Sequence, residues 1–193
     1  MGKKQHQPPA STLSASRAGD ARQGFTLIEL MVSFSALMVV LLGFSRMLLS
    51  SHMASNTTHE ATLAKEAARS MVEVLQATPL AEIYPSRNTN PADDPGLAGS
   101  APGAGFAVRG LEAPLGDPDG LPGRILFPES GGVLSELSNQ PQYGWPMDMD
   151  RDGVKVTADV SGTHFILPLV VRVEWRGAGG PGVVEFKTVI GGL

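Results

Sequence analysis

From Phe25 to Phe44 the chain is apolar at almost every position, and Glu29 is the one charged side chain in the run. Twenty residues at 1.5 Å each make a helix of roughly 30 Å, the depth of a bilayer's hydrocarbon core, so 25–44 is expected to cross a membrane. Arg46 marks the exit, and no proline follows until Pro79, so the helix is expected to run on over 25–77. In its second half the pattern turns amphipathic. Ala61, Ala64, Ala68, Met71, Val72 and Leu75 recur at helical spacing, with Glu60, Lys65, Glu66, Arg69 and Glu73 largely on the other side.

Residues 78–105 are rich in Pro, Gly, Ala, Asn and Asp and read as a long irregular connection. From 106 to 193 the period shortens to two. Candidate strands are 106–111, 124–127, 154–160, 164–175 and 183–190, the last two joined by the Gly-rich turn 177–182. Val171, Val173 and Trp175 alternate with Arg172, Glu174 and Arg176, while Val184, Phe186 and Ile190 oppose Glu185 and Lys187. Pro168 interrupts the first of these and predicts an edge position or a bulge. An antiparallel sheet with one greasy face would be covered by the amphipathic half of the helix, giving an α+β fold.

The segment ahead of the apolar run, 1–24, is polar and lacks any apolar period, which predicts a disordered leader. Lys3, Lys4, Arg17 and Arg22 against Asp20 make it basic, which places it on the cytoplasmic side and the rest of the chain outside the cytoplasm. A buried membrane acid costs about 2.5–3.5 kcal/mol on insertion scales, so Glu29 calls for a partner or an interfacial position.

The stretch Gly24-Phe25-Thr26-Leu27-Ile28-Glu29-Leu30, with its basic leader and apolar sequel, resembles the processing signal of type IV pilins and of the pseudopilins of type II secretion. The resemblance implies that a prepilin peptidase cuts after Gly24 and methylates the new amine of Phe25. It also implies that Glu29 meets a neighbouring subunit's terminal amine during assembly. The implied fold is type IV pilin-like, with residues 78–105 as the αβ loop. The implied partners are the peptidase, other pilin or pseudopilin subunits, the inner membrane and an assembly platform. The terminal hairpin, with Val171, Val173 and Trp175 before Phe186-Lys187-Thr188, also resembles minor pilins of the PilV type.

Charge and composition narrow the rest. The whole chain has 15 basic and 19 acidic residues; setting aside the leader's four basic and one acidic leaves eleven against eighteen, a formal net charge of −7. That balance argues against a broad nucleic-acid groove. With no cysteine, disulfides and thiolate metal sites are excluded. His52, His59 and His164 are scattered, and there is no nucleophile elbow, histidine pair or phosphate loop, so the reading is against an enzyme.

Asp148-Met149-Asp150-Arg151-Asp152-Gly153-Val154 places three carboxylates around a glycine turn, as D-x-D-x-D-G calcium loops do. Expected ligands are Asp148, Asp150, Asp152 and the Val154 carbonyl, and a solvated acidic turn would satisfy the same pattern. If 154–160 is a strand, Asp159 lies roughly 23 Å from Asp152 and cannot close the site. The functional expectation is a structural, minor subunit of a type IV pilus or related fibre. The alternatives are a type II secretion pseudopilin and a membrane-anchored, calcium-dependent binding module that does not polymerise.

Overall fold

The computed structural model describes residues 24–192, so the leader falls outside it except for Gly24. One helix, α1, runs from Leu27 to Gln76. By its contacts the chain divides into a unit ending at Arg46 and a second from Met47 to Leu193.

Among the described residues of the first unit, α1 has no protein interior to face. Its most apolar stretch has a mean hydropathy of 2.3 and no buried residue, so the helix is long and apolar enough to cross a membrane. Burying each such Leu, Val or Phe is worth about 1.5–3 kcal/mol, so these side chains need an apolar surrounding. Two of its serines are prepared for one. Ser35 Oγ donates to the Met31 carbonyl at 2.8 Å and Ser45 Oγ to the Leu41 carbonyl at 2.9 Å, leaving neither hydroxyl unpaired.

The second unit closes its own core. Ala64, Ala68 and Leu75 of α1 are buried, with Ala61, Met71 and Val72 packed partly against them, as the amphipathic pattern predicts. They meet a four-stranded antiparallel sheet of order β1-β2-β5-β6: β1 Gly105–Phe106, β2 Gly123–Leu126, β5 Ile166–Gly177 and β6 Gly180–Gly191. A separate two-stranded hairpin is formed by β3, Glu129–Ser130, and β4, Val133–Leu134. Val171, Val173 and Trp175 point into the core, opposite Phe186, Val184 and Gly182 of β6. The two glycines of the sheet that face aromatic rings are required. A Cβ on Gly182 would come within 2.3 Å of the Trp175 ring, and one on Gly123 within 2.3 Å of Phe106.

The β5–β6 turn is tighter than the six residues expected, with Gly177 paired to Gly180. Its tip is tied to α1: Glu60 Oε2 accepts from Trp175 Nε1 at 3.3 Å and Glu60 Oε1 from the Ala178 N–H at 3.1 Å. Pro168 sits inside β5 without a bulge. The Glu174 N–H reaches the Pro122 carbonyl, so even-numbered residues of β5 turn their backbone groups toward β2. β2 ends opposite Val170, and at Pro168 that side has no ladder left to interrupt.

Three sequence expectations need correction. Residues 154–160 form no strand, because their amides find other acceptors: Val154 N–H the Asp152 carboxylate, Val156 N–H the Glu136 carboxylate, Val160 N–H the Leu134 carbonyl. Of 106–111 only Phe106 is in a strand. Within 78–105 lies a helix, α2, Leu80–Arg87, which buries Ile83 and Tyr84 and stacks Tyr84 edge-on against Phe127 at 5.3 Å. Pro85 obscured it, yet so near the end of an eight-residue helix it removes little of the hydrogen-bond ladder. The rest of the connection is held by short polar contacts, among them Asn88 Nδ2 to Asp93 at 2.7 Å and the Ala101 N–H to Asp94 at 3.1 Å.

Candidate functional site

Two places gather polar groups that the core does not need. The first is the start of α1. Thr26 caps it: its Oγ1 accepts the Glu29 N–H at 3.3 Å, and its carbonyl accepts the Leu30 N–H at 3.1 Å. Thr26 and Glu29 thus have the Thr-x-x-Glu spacing of a capping box, a signal the sequence reading passed over. Glu29 lies in the first turn, where the amide dipoles favour negative charge. Phe25 precedes the helix and is 81% exposed, and a Cβ added to Gly24 would meet nothing within 4 Å. The fold itself does not demand a glycine there.

A family model described as the prokaryotic N-terminal methylation motif matches residues 20–45. The chain carries a type IV pilin-like prepilin signal. No curated protein and no solved structure matches it. The matched residues end one residue short of Arg46, where the first unit ends.

The second place is the acidic loop of the second unit. Carboxylate oxygens of Glu136, Asp148 and Asp150 lie within 4.8 Å of one another. Glu136 is fully buried and organises the loop: Oε1 accepts the Met149 N–H at 2.5 Å and the Asp150 N–H at 3.2 Å, and Oε2 accepts the Val156 N–H at 3.0 Å. Asp148 then accepts the N–H groups of Arg151 and Gly153, at 2.6 and 3.0 Å. Arg151 and Gly153 take positive φ, 61° and 85°, to bring those amides inward.

Of the four predicted ligands, the loop brings Asp148 and Asp150 together. Asp152 is outside the group, its Oδ1 accepting the Val154 N–H at 2.7 Å, and Asp159 instead accepts the Ser161 N–H. Glu136 was missed because it is thirteen or more positions from the groups it serves, and nothing local marks it. The Asp152 N–H draws the Asp150 carboxyl down, but desolvation and the charges of Asp152, Glu136 and Asp148 carry it above the usual carboxylate range. Three hard oxygen donors of like charge could hold a cation.

Proposed function

We propose that this prepilin is a structural subunit, of the minor class, of a type IV pilus or the related type II secretion pseudopilus, assembled through α1 rather than catalysing a reaction. The observation that carries the reading is the pairing of an unburied apolar helix with a single acid in its first turn. Cleavage between Gly24 and Phe25 leaves a new ammonium on Phe25, one helical turn from Glu29. Inside lipid the acid finds that charge in its own chain; in a fibre it meets the amine of a neighbour, so only correct axial register neutralises both. The peptidase, an inner-membrane platform and fellow subunits are the partners this requires. The basic leader stays in the cytoplasm and the sheet unit outside it.

The hard oxygens of Glu136, Asp148 and Asp150 suit calcium, which would relieve their mutual repulsion and tighten the loop. Calcium in this role is a stabiliser of the outer unit, separable from assembly.

Mass spectrometry of the mature chain tests the first step: N-methylated Phe25 is expected, and an intact Met1 overturns it. Glu29→Ala is expected to insert into the membrane normally and to be depleted from sheared fibres. Wild-type incorporation of that variant would remove Glu29 from the mechanism.

A further inference from the structure

Gly24, Phe25 and Thr26 lie outside α1, and Leu27 is its first residue. Had the helix begun two residues earlier, the Phe25 carbonyl would accept the Glu29 N–H and the Gly24 carbonyl the Ile28 N–H. The Thr26 hydroxyl takes the first of these donors, accepting the Glu29 N–H at 3.3 Å. The ladder then opens with the Leu30 N–H on the Thr26 carbonyl at 3.1 Å. Among the described residues neither the Gly24 nor the Phe25 carbonyl accepts a hydrogen bond.

The residues on the leader side do little to stop the helix at that point. Phe25 is apolar and suits a membrane helix, and Ala21, Arg22 and Gln23 are good helix formers by type. Near lipid the pull toward a longer helix grows, because a carbonyl with neither water nor an amide beside it is costly. Gly24 opposes extension through its backbone entropy, but a glycine weakens a helix without fixing where it starts. A side-chain acceptor at the cap position does fix the start. It gives the Glu29 amide a partner that the Phe25 carbonyl would have to displace.

We propose that Thr26 is a positioning residue for leader removal: by capping α1 it holds the Gly24–Phe25 bond outside the helix, where the peptidase can engage it. The proposal rests on the reading that this bond is the one cut. The match to the N-terminal methylation motif points to an enzyme acting at this terminus, independently of its geometry. Cleavage adds water to the Gly24 carbonyl carbon and breaks its bond to the Phe25 nitrogen. Gly24 is left with a carboxylate and Phe25 with an ammonium. In a helix that same carbonyl would point along the axis and be held by the Ile28 N–H. Each precursor would then have to unwind a turn before it could bind, and apparent affinity would fall in proportion to the fraction of chains left open.

The test is cleavage of the full precursor in detergent micelles by a prepilin peptidase, with Thr26→Val, Thr26→Ser and Thr26→Asn set against the wild type. Valine keeps the shape of threonine and loses the acceptor, whereas serine and asparagine each keep one. Thr26→Val is expected to raise KM roughly two- to fivefold with kcat unchanged. In NMR of the uncleaved variant, the carbon shifts of Gly24 and Phe25 are expected to become helical. Thr26→Ser and Thr26→Asn are expected to stay within about twofold of the wild-type KM. A wild-type KM for Thr26→Val overturns the proposal, as do non-helical shifts at Gly24 and Phe25 in that variant. So does an Asn variant with the KM of the Val one, which would mean that the peptidase reads threonine itself and not the cap. A wild type left uncut between Gly24 and Phe25 is a separate result, and it would overturn the prepilin reading together with this proposal.

Discussion

Between Leu27 and Leu49 the large apolar side chains of α1 are all exposed, whereas between Ala61 and Leu75 the same helix buries one stripe against a sheet. The acids divide in the same way. Among the described residues Glu29 lies exposed in the first turn beside the Thr26 cap, while Glu136 is enclosed and has three backbone N–H groups aimed at its two oxygens. One unit leaves both its greasy surface and its charge to be completed from outside; the other satisfies both within its own fold. The contrast shows which part of the chain is built for a changing environment.

Glu136→Ala should break the contrast most severely, because it strands three amide donors, one in a buried contact and two in partly buried ones. A loss of about 3 kcal/mol or more is expected in the second unit, while Glu29→Ala should cost that unit nothing. Both tryptophans, Trp145 and Trp175, lie in the second unit, so denaturant unfolding followed by their fluorescence reads it alone. Leu75→Ala comes next, with about 2–5 kcal/mol expected from the cavity, against no change for Leu41→Ala in the same assay. Equal effects of the two leucines would mean that the front of α1 has a protein interior after all.

The smallest effect belongs to Asp150. Its folded-state pKa lies above its ordinary value, so the folded chain holds the proton more tightly and stability falls as pH rises through that titration. In chelator, melting temperatures from about pH 4 to 7 should show this decline in the wild type and a flatter profile in Asp150→Asn. Calcium should raise the wild-type melting temperature at neutral pH more than that of the variant. An identical response in both would leave the group without a cation role.

What could be read from the chain follows from how local each signal is. The apolar run, the alanine stripe of 61–75 and the alternations of β5 and β6 are periodic over many residues, and each appears where its period puts it. The failures come where one distant contact overrides a short pattern. Val154, Val156 and Val160 alternate like a strand, but Glu136 takes the Val156 amide and leaves no ladder to join. Leu80, Ile83 and Tyr84 have helical spacing, yet Pro85 and the surrounding loop composition hid the helix. The acidic loop was visible as three aspartates, while the buried carboxylate that organises it was not, since a glutamate's burial depends on tertiary structure.

Hairpin tips are the usual places to insert a tag or a label, but the two tips of this chain are not equivalent. At the β5–β6 tip a Cβ on Gly177 would fall 2.1 Å from Glu60 Oε2 and one on Gly179 2.6 Å from Thr57 Oγ1, so added residues there would pry the hairpin from α1. Gly131 and Gly132, which turn β3 into β4, are exposed and have nothing within 4 Å. A reporter epitope threaded between those two would leave the sheet seated on the second half of α1, and it could label the proposed fibre without loosening the second unit.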